Sequence, residues 1–137
     1  MAKVVDLLEK YYKNTNYNCA EAVFSAAAEA WGLDISKDVI RTMGCFGGGM
    51  GCAIVCGAVS GGSAALSYKF VEGDGGHTSP EMMKKVRTYI RRVREEFGSE
   101  NCKDLRPQFY SKEERCYQTI CKVAAVLDEV YEMEDAE

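Results

Sequence analysis

Apolar residues recur at helical spacing along most of the chain, and the stretches between them are polar or rich in glycine. This pattern predicts helices over about residues 4–13, 19–31 and 34–43, the third of them short. The many glycines of residues 44–51 predict a loop, because glycine in a helix costs backbone entropy. Residues 52–70 are nearly all small or apolar, and helix is favoured there over strand.

Local signals mark several of these ends. Asn18 suits the N-cap of the second helix, and Gly32 suits the left-handed position beyond its end. In the helix over 52–70, Gly57 and Gly61 lie on one face, since they are four positions apart, and would let another backbone approach closely.

Two more helices are predicted in the second half of the chain. Ser79 and Pro80 give a strong start signal, and the helix should run to Phe97 with an apolar stripe on one face. Ser111 and Glu114 form a capping box, which predicts that the last helix begins there and continues to about residue 130.

These elements predict an all-α fold: a compact bundle of about five helices with a glycine-rich loop, forming a single domain over residues 1–137. The 47% of hydrophobic residues is ordinary for a globular protein. The net charge of -4 argues against a general nucleic-acid binder. No apolar run is long enough for a transmembrane helix, so no membrane insertion is expected.

The N-terminus lacks the apolar run of a signal peptide, so a cytoplasmic location is expected. Seven cysteines occur, and disulfides are rare in the cytoplasm, which favours metal or redox chemistry over a disulfide scaffold. An odd number of cysteines also leaves one thiol unpaired in any scheme of disulfides alone.

Three cysteines crowd the glycine-rich segment. Cys52 and Cys56 would share a helix face, and Cys45 lies across the loop from them. Their spacing is weaker than a pair of Cys-x2-Cys motifs as a zinc signature, and small thiols also simply pack well. The Gly47–Gly51 stretch lacks the Gly-Lys-Ser/Thr ending of a phosphate-binding loop.

The other cysteines are more widely spaced. Cys19 falls in the first turn of the second helix, where the helix dipole favours a thiolate. Cys102 lies in a segment expected to be irregular. Cys116 and Cys121 are five positions apart on the expected last helix, so only one of them can face a shared site, and Cys121 is expected in the core.

Two further features have ordinary explanations beside functional ones. His77 is the sole histidine and lies in a glycine-rich loop, where a solvated side chain is more common than a ligand. The helix that ends at Phe97 also carries basic residues on the flank opposite its apolar stripe, which form either a solvated face or a docking surface for an acidic redox partner. These basic residues are Lys84, Lys85, Arg87, Arg91, Arg92 and Arg94.

Residues 18–23, 46–51 and 56–61, followed by Cys102 and Cys116, resemble the motifs of the C_GCAxxG_C_C family of small bacterial proteins, which are described as redox-active. The resemblance spans most of the chain. It implies that four cysteines form the family's site, namely Cys19, Cys56, Cys102 and Cys116. Cys45 and Cys52 are secondary candidates for the same site, and Cys121 is an extra.

The resemblance leaves three hypotheses. In the first, the four thiolates bind an iron–sulfur cluster, or zinc, for electron transfer or redox sensing with a partner protein. In the second, no metal is bound and two of the thiols cycle, as Cys19 with Cys56 or as Cys102 with Cys116. In the third, the protein is structural or interacts with a partner, and its cysteines only pack. A homodimer through the glycine-lined helix is compatible with each of them.

Overall fold

The computed structural model describes residues 2–134 and confirms an all-helical fold. These residues contain seven α-helices rather than about five: α1 (Val4–Leu8), α2 (Cys19–Ala30), α3 (Lys37–Arg41), α4 (Gly57–Phe70), α5 (Pro80–Phe97), α6 (Cys102–Phe109) and α7 (Tyr117–Glu132). α1 continues as a wider π-helical segment, Glu9–Lys13. Within the described range no β-strand forms, and only isolated bridges join Val55 to Asn101 and Ser111 to Arg115.

α2 forms the centre of the bundle, and most of its residues are buried. It lies closely against α4 because α4 carries glycine at the contact. A Cβ on Gly61 would lie 2.9 Å from the Cα of Ala20, and a Cβ on Gly57 would lie 3.0 Å from the Cβ of Cys19. The close approach predicted from the glycine spacing is therefore confirmed, and its partner is α2.

The two ends of the chain are joined by polar contacts. The carboxylate of Asp128 in α7 accepts hydrogen bonds from the backbone N–H groups of Val4 and Val5, at 2.8 and 3.2 Å, and so satisfies free donors at the start of α1. Burial raises the pKa of this carboxyl, and the two N–H groups oppose the rise. The contact fixes α1 against α7.

α5 carries the predicted apolar stripe, with Met82, Tyr89 and Val93 buried. Lys85 departs from the solvated face expected for it, because it is buried and its ammonium donates to backbone carbonyls at the end of α7. These are the carbonyls of Val130 and Tyr131, both at 3.0 Å, and of Met133. Lys85 therefore acts as a C-terminal cap for α7 rather than as part of a docking surface.

The helix predicted from residue 52 begins only at Gly57. Before it, Met50 and Ala53 have left-handed backbone conformations, with φ of 60° and 59°. The chain there is held by a neighbouring segment instead, since the Cys56 N–H donates to the Glu100 carbonyl at 2.9 Å. Cys52 and Cys56 do not share a helix face, because Cys52 lies outside α4.

Two other predicted boundaries are wrong. Cys102 does not lie in an irregular segment but is the first residue of α6. The last helix begins at Tyr117 rather than Ser111, although the Ser111 hydroxyl does accept from the Glu114 N–H at 3.0 Å. The Arg115 N–H bonds back to the Ser111 carbonyl at 2.6 Å, and this contact closes a turn ahead of the helix.

None of the helices within residues 2–134 combines the length and the apolar character needed to cross a membrane.

Candidate functional site

Cys19 is fixed at the start of α2 by a complete capping box. The Asn18 side chain accepts a hydrogen bond from the Glu21 N–H, and the Glu21 carboxylate accepts one from the Asn18 N–H, both at 2.9 Å. Asn18 also donates to the carbonyl of Gly44 at 3.0 Å. The predicted cap is confirmed, and it places the buried Cys19 beside the glycine-rich segment.

Cys56 and Cys102 are brought together by two backbone hydrogen bonds between their segments. The Cys56 N–H donates to the carbonyl of Glu100, and the Cys102 N–H donates to the carbonyl of Ile54, at 2.9 and 2.7 Å. Cys56 is the N-cap of α4 and Cys102 is the first residue of α6. A short antiparallel contact thus aligns the starts of these two helices.

Cys116 is the N-cap of α7 and is partly buried. Its backbone N–H donates to the hydroxyl of Tyr12, 3.3 Å away, in the segment that continues α1. The residue before it, Arg115, has a left-handed conformation with φ of 55°. The turn and the tyrosine together set the position from which the Cys116 thiol enters the site.

The thiols of all four motif cysteines line one small cavity of about 30 Å³, at which four helices begin. Helix N-termini carry a partial positive charge and free N–H groups, so they favour thiolates over thiols. The rest of the wall comes from Gly48, Gly57, Leu105, Arg106 and Thr119.

Cys19 and Cys116 are the two thiols of this cavity whose protonation is most strongly linked. A hydrogen bond from the Cys19 thiol, together with the charges of Arg106 and Arg115, lowers the pKa of Cys116 to about 6 against the opposing effect of burial. The same hydrogen bond, together with burial, raises the pKa of Cys19. The pair as a whole therefore loses its first proton easily and holds the second.

The other two thiols of the cavity stay protonated more readily. Burial raises the pKa of Cys56 to about 11, although backbone N–H groups of Ala58 and Val59 oppose the rise. Burial and the neighbouring Cys116 raise the pKa of Cys102. The Cys19–Cys116 pair is thus the part of this cavity that forms a thiolate most easily.

The remaining cysteines lie away from the cavity wall. Cys45 and Cys52, the secondary candidates, are exposed. Cys121 is partly buried against the core and does not line the cavity, which agrees with the expectation that only one of Cys116 and Cys121 faces the site. His77 is exposed in its loop and is not among the residues that line the four-cysteine cavity.

The sequence reasoning missed three residues that shape the site. Arg106 lies one helical turn after Cys102, and Thr119 lies three positions after Cys116, so spacing from the cysteines could have indicated both. The Thr119 hydroxyl is buried on the cavity wall and has no hydrogen-bond partner among the described residues. Tyr12 has no local signal, because its contact with Cys116 is made only by tertiary folding.

Four thiols suit a metal by their chemistry, since thiolates are the preferred ligands of zinc and of iron–sulfur clusters. The placement of these thiols in the fold does not suit a metal. In the part of the chain that the structure describes, no group of three or more Cys, His, Asp or Glu side chains is arranged to hold a metal ion.

Comparison with known proteins adds a family. No curated protein and no solved structure matches the chain. A family model described as "Putative redox-active protein (C_GCAxxG_C_C)" matches residues 17–130, which include all four motif cysteines. The match covers most of the sequence, and the chain therefore belongs to the C_GCAxxG_C_C family of redox-active proteins.

Proposed function

We propose that this protein is a metal-free thiol–disulfide redox protein in which Cys116 is the reactive thiolate and Cys19 its partner. The observation that carries the proposal is that these two residues share one small cavity, where the interaction with Cys19 lowers the pKa of Cys116. A thiolate near neutral pH is the form that attacks a disulfide. The pairing differs from both pairs expected from the sequence, Cys19 with Cys56 and Cys102 with Cys116.

The chemistry requires a disulfide as the oxidant. The Cys116 thiolate attacks one sulfur of the substrate disulfide, which forms a mixed disulfide and releases the first thiolate. That thiolate, once it diffuses out, takes up a proton, and Cys19 loses its own proton. The Cys19 sulfur then attacks the Cys116 sulfur, forms the Cys19–Cys116 disulfide and releases the second thiolate. Two protein thiols are oxidised and one substrate disulfide is reduced to two thiols.

The test is to map the disulfide after mild oxidation. Peptide mass spectrometry without reduction should find residues 19 and 116 joined, and a dithiol reductant should restore both thiols. The variant Cys116→Ser should form no such bond, whereas Cys121→Ser, a matched control in the same helix, should form it at the normal rate. Reversible oxidation that joins other cysteines and leaves these two free would contradict the proposal.

A metal centre on Cys19, Cys56, Cys102 and Cys116 is the second candidate. One observation favours it, namely that all four thiols line the same cavity. The test is anaerobic purification with measurement of iron, zinc, sulfide and the absorption spectrum. The metal-free proposal expects far less than one metal ion per chain. A stoichiometric metal that is lost in Cys19→Ser and Cys102→Ser would replace the first candidate by the second.

A redox partner protein also belongs to this proposal. A homodimer would need a surface other than the glycine face of α4, which packs against α2. The exposed arginines of α5 are the candidate docking surface, but several are paired with acids. Arg94 binds Glu100 at 2.6 Å and Arg92 binds Glu129 at 2.7 Å, so the positive charge of this face is partly neutralised. Binding to an acidic partner would therefore be weak and would decrease with salt.

A further inference from the structure

The four-cysteine cavity has room for only a very small molecule. Its volume is about 30 Å³. A buried water needs about 10–15 Å³ of such space, so the cavity admits a molecule of about two non-hydrogen atoms. Cys19 and Cys56 on its wall are buried, whereas Cys102 is partly exposed and also lines a larger groove of about 670 Å³. The groove therefore gives a small molecule a way to the thiols, at Cys102.

One polar group on the cavity wall lacks a partner. Thr119 is only 3% exposed, and its hydroxyl forms no hydrogen bond within residues 2–134. A buried hydroxyl left without a partner is costly, and in native proteins such a group indicates a bound water, a ligand or a catalytic role. Because Thr119 lines the cavity, it offers a hydrogen bond to a small polar molecule there.

The surroundings of the cavity favour negative charge. The helices α2, α4, α6 and α7 each begin at one of the motif cysteines, and helix N-termini carry a partial positive charge. Arg106 lines both the cavity and the groove, and it forms no ion pair with a carboxylate in the described part of the chain. Fixed positive charge of this kind stabilises negative charge that develops during a reaction.

We propose that hydrogen peroxide enters this cavity and oxidises two of its four thiols to a disulfide. The molecule consists of two oxygens and their hydrogens, so it fits both the size of the cavity and the unpartnered hydroxyl of Thr119. The inference rests on the proposed metal-free redox function and adds a second class of oxidant to it. Size selects the oxidant, because an alkyl hydroperoxide with a bulky alkyl group exceeds the volume of the cavity.

The reaction has two steps. The sulfur of one cavity thiol attacks one peroxide oxygen and becomes a sulfenic acid, the O–O bond breaks, and the leaving oxygen takes up the thiol proton to form water. Thr119 donates a hydrogen bond to the leaving oxygen, and Arg106 stabilises the charge that develops on it. A second cavity thiol then attacks the sulfenic sulfur, which forms the disulfide and releases a second water. Two thiols are oxidised, and one peroxide is reduced to two waters.

The test compares hydrogen peroxide with tert-butyl hydroperoxide, which has the same O–O bond but is too large for the cavity. The reduced protein is mixed with one peroxide, quenched in acid, unfolded and alkylated, and the remaining thiol of each cysteine peptide is measured by mass spectrometry. The exposed Cys45 is the internal reference. Hydrogen peroxide should oxidise two cavity thiols at least about tenfold faster than Cys45, because charge stabilisation accelerates the attack. With tert-butyl hydroperoxide, Cys45 should react first.

Thr119→Val removes the hydroxyl and keeps the shape of the side chain. It should slow the oxidation of the cavity thiols by hydrogen peroxide about three- to tenfold, the effect of one hydrogen bond, and leave Cys45 unchanged. Ser25→Ala is the matched control, because the buried Ser25 hydroxyl also has no partner within residues 2–134 but does not line this cavity. Neither variant should be destabilised, which denaturant unfolding checks.

Three results would each overturn the peroxide inference: cavity thiols no faster than Cys45 with hydrogen peroxide, equal rates with the two peroxides, or an unchanged rate in Thr119→Val. The mapping after mild oxidation described above tests the proposed function separately. If that mapping finds Cys19 joined to Cys116 while the peroxide results fail, the redox pair stands without this oxidant. If neither treatment joins any two cavity cysteines, both proposals are overturned.

Discussion

Gly61 of α4 lies against the backbone of Ala20 in α2, so closely that any side chain on residue 61 would overlap it. A Cβ there would be 2.9 Å from the Cα of Ala20. Because Cys19 and Cys56 begin these same two helices, the contact also sets the distance between two of the four thiols. The packing of the core and the geometry of the site therefore both require that residue 61 has no side chain.

Gly61→Ala should lower the free energy of unfolding by about 1–3 kcal/mol, since overpacking displaces one helix from the other. Denaturant unfolding under reducing conditions measures it. Gly76→Ala is the control, because a Cβ there would meet its nearest atom at 3.7 Å, an ordinary contact. Equal stability of the two variants would contradict the close approach of α2 and α4.

Cys19→Ala should raise the pKa of Cys116 from about 6 toward the ordinary thiol value of 9.0, because the hydrogen bond to the thiolate is lost. Cys19→Ser keeps a donor and should keep the pKa low. The measurement is the pH dependence of iodoacetamide labelling of the peptide that contains Cys116. Identical pH profiles for the alanine and serine variants would show that the hydrogen bond is not the cause.

The Cys116 thiolate should contribute to the stability of the reduced protein, and this contribution should increase as the pH rises from about 6 to 9. The pKa of this thiol is lower in the folded state, so the contribution is present above the unfolded value of 9.0 and is lost as pH falls through about 6. Above pH 9 the raised pKa of Cys19 acts in the opposite direction, because the unfolded chain then releases a proton that the folded one keeps.

The check is a series of denaturant unfolding curves from pH 5 to 10 for the wild type and for Cys116→Ser. The free energy of unfolding of the wild type should increase relative to that of Cys116→Ser as the pH rises to about 9. A difference that is independent of pH would contradict the lowered pKa of Cys116.

Lys85→Met should lower the free energy of unfolding by about 1–3 kcal/mol, because it leaves three backbone carbonyls at the end of α7 without their donor. The neighbouring Lys84 is the matched control. It is exposed and forms only a 3.4 Å ion pair with Glu81, so Lys84→Met should change stability by less than about 0.5 kcal/mol. Similar losses in both variants would show that charge, rather than capping, is responsible.

Features of the fold that rest on neighbouring residues could be predicted from the sequence. The capping box of Asn18 and Glu21 and the all-helical character are of this kind, and both are confirmed. The predicted start of the last helix at Ser111 is wrong. The Ser111 cap is present, but it competes with the hydrogen bond from the Arg115 N–H back to the Ser111 carbonyl. The propensity of a short segment does not decide between two such contacts.

The candidate site followed from the family resemblance rather than from spacing. The four motif cysteines line one cavity, but their redox or metal role stays a prediction, as do the partner, the dimer and the cytoplasmic location. The pairing of Cys19 with Cys116 could not be predicted, because it depends on how α7 meets α2. The contact of Tyr12 with the Cys116 N–H has the same tertiary origin.

A bond between Cys19 and Cys116 would close a loop of roughly a hundred residues, for which the chain-entropy model gives about 4.7 kcal/mol of stabilisation. The thermodynamic cycle that links folding to oxidation is closed, so the folded chain must favour the disulfide by the same amount as the disulfide favours the fold. With about 30 mV per 1.4 kcal/mol, the pair in the folded protein would be harder to reduce than in the unfolded chain by about 100 mV. A substitution far from either sulfur would thus raise the measured reduction potential if it left the reduced chain unfolded while the oxidised chain stayed folded.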